Sequence, residues 1–182
     1  MPQVLRIALV TAAIAAAAPA FAQAQKPAAP KPGAASAQPT PLGQFGDWQA
    51  FTLGTDKRKS CFAISNPKDR KPSGLTRDPA TFFVTHRPGE GVRNEISLIA
   101  GFPMKEGADA SITIGKQSYA LYTKEANAWV KNAGEENTVI AVMKKSKDLV
   151  FEGTSKRGNK TVDRYSLAGL SDALDAISKA CP

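Results

Sequence analysis

The 182-residue sequence is poor in the side chains on which many enzymes depend. It contains one histidine, His86, and two cysteines without a Cys-x-x-Cys pair. A Ser-His-Asp or Cys-His apparatus would have to use His86, which precedes an Arg-Pro pair, and the chain has no serine elbow motif. A metal site needs several convergent ligands, and no DxDxDG-type calcium loop is present. We therefore expect a structural histidine, no catalytic residues, no metal and no cofactor.

Carboxylates are the only plentiful catalytic groups. A glycosidase needs two of them at a set separation. Six lie near predicted strand ends: Asp47, Glu95, Glu106, Glu125, Glu152 and Asp163. Nucleotide binding is disfavoured, because no Gly-rich phosphate loop precedes a helix. We expect a protein that is not an enzyme and keep a carboxylate-dependent hydrolase as an alternative.

Long apolar runs are also lacking, except at the N-terminus. Arg6 precedes the 12-residue apolar run Ile7–Ala18, and Ala20-Phe21-Ala22 supplies a small-x-small cleavage pattern. These features predict a signal peptide over residues 1–22, cleaved after Ala22. A helix of that length spans about 18 Å, too short for a membrane anchor across a core of about 30 Å. No cysteine follows the cleavage point to carry a lipid, so we expect a soluble periplasmic or secreted protein.

Export determines how the two cysteines are interpreted. In an oxidising compartment, Cys61 and Cys181 most simply form one disulfide. A closed loop of roughly 100 residues stabilises a fold by about 4–5 kcal/mol in the chain-entropy model. A reactive thiol or metal-binding pair is the alternative.

The stretch after the cleavage point has little apolar surface. Residues 23–43 contain five prolines, and Leu42 is their one large apolar residue. Such a segment cannot bury enough surface to offset the entropy of ordering it. We predict a disordered Pro/Ala-rich linker over 23–43, followed by one folded domain over 44–182.

Short strand-like segments separated by turn signals fill the predicted domain. A bulge at Gly46 would explain why Phe45 and Trp48 are out of alternation. Residues 66–79 are predicted to form a long loop rich in Pro, Lys and Arg. The predicted strands are 45–51, 60–65, 81–87, 92–100, 112–114, 119–121, 128–130, 149–154 and 160–167.

Two segments favour helices. In 135–147, acidic residues come first and lysines last, which suits the helix dipole, although several β-branched residues argue for a strand. Leu170, Leu174 and Ile177 recur at helical spacing before Cys181, and Ser171 is predicted as the N-cap. The pattern predicts a mainly β fold, an immunoglobulin-like β-sandwich of about eight or nine short strands with a C-terminal helix. A barrel is the alternative.

Acidic residues are outnumbered, giving a net charge of +8 and a pI near 9.6. This balance favours acidic partners such as envelope components or host glycans. Aromatic residues are not interleaved with the basic clusters, so nucleic acid is not an expected partner. The alternative is that these charges are solvated in turns. The basic patch, if the fold gathers it, comprises Lys57, Arg58, Lys59, Lys144, Lys145, Lys156 and Arg157, with Lys68–Lys71 as a further cluster.

Three stretches resemble the invasion-associated locus B (IalB) proteins, a family of small exported proteins widespread in alphaproteobacteria. They are Gly46-Asp47-Trp48, the CFAISNP run that begins at Cys61, and the ending SLAGLSDALDAISKAC. The resemblance covers about residues 44–182. It implies a signal peptide, a mainly β sandwich-like domain and a link between Cys61 and Cys181. It supplies no catalytic residues.

We therefore expect an exported, non-enzymatic protein that associates with the envelope or a host surface. A structural or stress-related periplasmic protein without an anionic ligand is the alternative.

Overall fold

Eleven antiparallel strands form one continuous sheet in the computed structural model, which describes residues 38–182. The strands are β1 (Thr40–Phe45), β2 (Trp48–Leu53), β3 (Ser60–Ser65), β4 (Asp69–Lys71), β5 (Thr81–Arg87), β6 (Val92–Ile99), β7 (Ala110–Ile114), β8 (Gln117–Lys124), β9 (Asn127–Val130), β10 (Asp148–Thr154) and β11 (Lys160–Ser166). Their order across the sheet is β1-β2-β3-β5-β6-β9-β8-β7-β10-β11-β4. Two α-helices accompany them, α1 (Glu136–Met143) and α2 (Leu170–Ala180).

The sheet folds so that its two halves share one core. Strict alternation places every second residue of β3 and β5 inside, because successive side chains of a strand point to opposite faces. The Phe82 ring of β5 packs against Trp48 of β2 at 6.0 Å and Tyr165 of β11 at 5.5 Å, between ring centroids. Trp48 Nε1 also donates to the Ser166 carbonyl at 3.0 Å. Strands from opposite parts of the sheet order thus face one another, and the predicted mainly β, sandwich-like fold is confirmed.

Helix α2 closes the core beside β1, β2 and β3. Its buried face consists of Leu170, Ala173, Leu174 and Ile177. Cys181 follows directly and is bonded to Cys61 of β3, with the two Cα atoms 6.0 Å apart. The predicted disulfide is confirmed, and it ties the end of the described chain to a strand 120 positions earlier.

The start of the domain differs from the prediction. The predicted strand 45–51 is two strands, because Gly46 adopts a left-handed φ of +55° and makes a hairpin turn instead of a bulge. Strand β1 begins at Thr40, inside the stretch predicted as linker, since pairing with β2 gives its backbone hydrogen bonds that composition does not reveal. The signal peptide prediction, 1–22, and most of the linker lie outside the described residues.

Two further elements differ from the prediction because of contacts between distant segments. Strand β4 lies in the predicted loop 66–79, where it adds an edge by pairing with β11. Because the predicted strand 45–51 is also divided into β1 and β2, the described residues contain eleven strands, against the eight or nine predicted. Helix α2 is capped by Gly169 with φ +88°, and Ser171 lies inside the helix. The predicted short helix in 135–147 is confirmed as α1. Within the described residues, no helix has the length and apolar character needed to span a bilayer.

Candidate functional site: a basic cavity beside a buried ion cluster

The candidate site lies beside a fully buried carboxylate, that of Asp163. Strand β11 alternates, so Asp163 points into the core between the inward-facing Thr161 and Tyr165. Arg70 Nε donates to Asp163 Oδ2 at 3.0 Å, and Arg77 Nη1 donates to Oδ1 at 3.4 Å. Burial raises the pKa of Asp163, and the two guanidinium groups oppose that rise. The Asp163 carboxyl group thus lies between two guanidinium groups.

The same two arginines fix the loop between β4 and β5. Arg70 donates from Nη1 to the Asp78 carbonyl at 2.9 Å and from Nη2 to the Ala100 carbonyl at 2.7 Å. Arg77 donates from Nη2 to the Pro72 carbonyl at 3.0 Å. Each guanidinium group donates hydrogen bonds to backbone carbonyl oxygens as well as to Asp163. These charge-assisted hydrogen bonds hold the loop in one arrangement.

Gly101 lets this loop approach the end of β6 closely. Its φ is +75°, and a Cβ on it would collide with the Asp78 carbonyl oxygen. The Asp78 amide donates to the Gly101 carbonyl at 2.9 Å. No other residue type fits both the dihedral angle and the gap between the two segments.

A cavity of about 500 Å³ lies between this loop and the β10–β11 turn. Lys156 and Arg157 are exposed and form no ion pair with any described residue. Asp78 is the acidic residue of the wall, so the cavity is basic. The lining consists of Gly74, Leu75, Thr76, Arg77, Asp78, Gly101, Phe102, Pro103, Ser155, Lys156, Arg157, Asn159 and Thr161.

The structure divides the predicted basic patch. Of its residues, Lys156 and Arg157 line the cavity. Lys57, Arg58 and Lys59 lie beside the turn after β5, while the cavity lies where β5 begins, about 20 Å away at the usual rise per residue.

Lys144 and Lys145 precede β10, whereas Lys156 and Arg157 follow it. The length of that strand, again about 20 Å, separates these two pairs. Of the Lys68–Lys71 cluster, Lys68 pairs with Asp47 and Arg70 pairs with Asp163. The basic residues thus lie in separate places.

A second polar cluster lies at the contact between β6 and α1. His86 is 2% exposed, and its Nε2 lies 3.1 Å from Asn94 Oδ1. Burial lowers the pKa of His86. Glu136 Oε1 accepts a hydrogen bond from the Ile96 amide at 2.9 Å, and burial raises the pKa of Glu136. Glu136 thus has a backbone partner, whereas the buried Nδ1 of His86 has no hydrogen-bond partner among the described residues.

Three of the candidate hydrolase carboxylates are paired with cationic side chains. Arg87 grips Glu95 with two hydrogen bonds of 2.9 and 2.7 Å. Asp47 pairs with Lys68, and Asp163 with its two arginines. Among residues 38–182, no three His, Cys, Asp or Glu side chains form a group able to hold a metal ion. The other candidates, Glu106, Glu125 and Glu152, are exposed.

Sequence reasoning missed the residues that shape the cavity wall. Arg70 was predicted only as part of the basic cluster Lys68–Lys71, Arg77 only as part of the loop 66–79, and Gly101 was given no role. No local pattern marks their contacts, because Asp163 lies in β11 and Gly101 follows β6, both far from this loop in the chain. The Pro-, Lys- and Arg-rich composition of residues 66–79 was the one available signal.

Together these features define a disulfide-linked, mainly β domain with one basic cavity at the end of its sheet. The model of the invasion-associated locus B (IalB) family matches residues 48–178, most of the described domain. The chain belongs to this family. Neither a curated protein nor a solved structure gives a significant match.

Proposed function

We propose that this protein is exported and acts as a non-enzymatic binding module, which holds an anionic component of the bacterial envelope or of a host-cell surface. One observation carries the proposal: Lys156 and Arg157, exposed and unpaired among the described residues, line the same cavity as Arg77. Unpaired cations in a concave site attract and retain anions better than charges scattered over a convex surface.

Export is supported by the predicted signal peptide and by the disulfide, since such bonds persist in oxidising compartments. A non-enzymatic role is supported by the surroundings of Asp163 and His86. Asp163 is held by two arginines, and His86 is 2% exposed, so neither is free to transfer a proton to a ligand.

Binding of residues 23–182 to isolated bacterial envelope and to host-cell membranes, measured across a salt series, tests the proposal. We expect saturable binding to one of these surfaces that falls steeply with salt. The double variant Lys156→Gln/Arg157→Gln should lose about 10-fold or more in affinity, because hydrogen bonds to charged groups contribute about 1.5–3 kcal/mol each.

The matched control is Lys57→Gln/Arg58→Gln, which removes the same charge at a distant turn. It should bind nearly as the natural sequence does. Equal losses in both variants would indicate a general charge effect, and absence of binding to both surfaces would favour a structural or stress-related periplasmic role.

A further inference from the structure

The cavity has apolar walls in addition to its positive charge. Phe102 and Pro103 supply apolar surface at one wall, and Leu75 supplies it at another. The Phe102 ring packs partly on the core, so its position is fixed. A site for a bare inorganic anion would have no use for this apolar wall, because such an ion is hydrated on all sides.

The polar groups between these walls can both donate and accept hydrogen bonds. The Asn159 side-chain amide and the Thr76 hydroxyl make no hydrogen bond with any other described residue. Ser155 Oγ accepts from the backbone N–H of Asn159 at 3.0 Å, which leaves the hydroxyl proton of Ser155 available for donation. Thr161 donates to the Gly153 carbonyl at 3.1 Å, so its oxygen still has accepting capacity. Groups with both capacities suit hydroxyl-bearing ligands.

We propose that the cavity binds an acidic sugar unit, a pyranose ring that carries one carboxylate, as found in bacterial or host glycans. Lys156 and Arg157 face the carboxylate, Asn159 and Thr76 bind ring hydroxyls, and Phe102 lies against the apolar face of the ring. A volume of about 500 Å³ lies within the usual range of about 300–1,000 Å³ for small-molecule sites. This proposal rests on the proposed function, since it names the ligand class of the same site.

The held loop gives the cavity a defined shape before any ligand enters. Arg70 and Arg77 join it to Asp163, and Gly101 allows it to approach β6. A wall already fixed in place loses little conformational entropy when a ligand binds, which favours a small, rigid ligand such as a sugar ring.

Titration calorimetry of residues 23–182 with oligogalacturonate tests the sugar class. The comparison ligands are a neutral galactose oligomer of the same length, inorganic polyphosphate, and vesicles containing phosphatidylglycerol. We expect saturable binding of the uronate and at least about 10-fold weaker binding of the neutral oligomer. Polyphosphate and vesicles should bind weakly and without saturation.

Two variants separate ring recognition from charge. Phe102→Leu and Asn159→Ala should each weaken uronate binding about 2- to 10-fold, the value expected for one lost aromatic contact or hydrogen bond. Neither should change polyphosphate binding. Asn159 is exposed in a turn, so its variant retains the fold if Phe102→Leu does not. Tyr122→Leu, an exposed aromatic position outside this cavity, is the control and should leave uronate binding unchanged.

The outcomes distinguish this inference from the proposed function. If polyphosphate or vesicles bind as tightly as the uronate through Lys156 and Arg157, the acidic-sugar assignment is overturned and the anion-binding function stands. If none of the four ligands binds, the acidic-sugar assignment is overturned, and if envelope and host membranes also fail to bind, the proposed function is overturned as well.

Discussion

At the residue scale, Asp163 is the acidic residue whose burial is most costly unless it is paired. It is completely buried and lies within hydrogen-bonding distance of two guanidinium groups. Burying any one of these three charged groups alone would be costly, and each is stabilised by its oppositely charged partner. The same group holds one wall of the cavity, so its effect on stability and its effect on binding are connected.

Asp163→Ala should lower the free energy of unfolding by about 3–5 kcal/mol, because it leaves two arginines without their buried partner. Asp148→Ala is the matched control. Asp148 pairs with Arg164 at 2.8 Å, but both side chains are about half exposed, and such pairs contribute less than about 1 kcal/mol. Urea unfolding at pH 7 measures both, and equal losses would show that the buried cluster contributes no more than a surface pair.

The buried histidine predicts loss of stability in acid. Because burial lowers the pKa of His86, the unfolded chain takes up a proton near the ordinary value of 6.5, whereas the folded protein resists it. The contribution of His86 is therefore complete above pH 6.5 and is lost as the pH falls through the lowered pKa. His86→Gln should flatten this decline in urea unfolding between pH 7 and pH 5. An unchanged slope would show that His86 titrates equally in both states.

Glu136 predicts the opposite pH dependence. Burial raises its pKa, so the folded protein holds the proton more tightly than the unfolded chain, whose ordinary value is 4.5. This contribution is complete below pH 4.5 and is lost as the pH rises through the raised pKa. Glu136→Gln, which keeps an acceptor for the Ile96 amide, should therefore increase stability at pH 7 and have little effect at pH 4. A loss of stability at pH 7 would mean that the charged form is favoured in the fold.

At the scale of elements, the β1–β2 hairpin and helix α2 depend on one close contact. The residue that caps α2, Gly169, lies against the backbone of Phe45 and Gly46, and a Cβ on Gly169 would overlap both. Sequence patterns predicted the helix and a strand at this point. They did not predict the cap, because the reason for a glycine there is a neighbouring backbone 123 positions earlier in the chain.

Gly169→Ala should destabilise the protein more than Gly158→Ala does. Both glycines have φ near +88°, so each alanine brings a dihedral cost of about 1–2 kcal/mol. A Cβ on Gly158 meets nothing within 4 Å, whereas one on Gly169 must displace backbone, which adds about 1–3 kcal/mol. Thermal unfolding of the two variants measures the difference. Similar losses would show that the hairpin moves away from α2 without cost.

At the scale of the whole molecule, the disulfide joins the third strand to the last helix. The bond spans 120 positions, and most strands of the sheet lie inside the loop that it closes. Two features of the sequence, a predicted export signal and two cysteines, were enough to predict it. Because the cysteine count is so low, one pairing was available within the chain.

Cys61→Ala/Cys181→Ala should lower the free energy of unfolding by about 2–5 kcal/mol, the usual loss when a native disulfide is removed from a small exported domain. The reduced natural sequence is the control, since it loses the bond and keeps both side chains. Similar urea midpoints for the variant and the reduced protein would assign the loss to the covalent link. If the reduced and oxidised proteins unfold at the same midpoint, the link contributes nothing.

The sequence by itself determined the features that depend on local periodicity and on composition: most strands, the C-terminal helix, the mainly β class, the disulfide and the family. Alternating residues in 60–65 or 81–87 specify a strand and its inner face without reference to the rest of the chain. Tertiary structure alone decided which edges pair, and therefore that β4 adds to β11, that Asp163 meets Arg70 and Arg77, and that Lys156 and Arg157 lie far from the other predicted basic residues. Period-two patterning records which side of a strand is buried, but the identity of its neighbour depends on contacts between segments far apart in the chain.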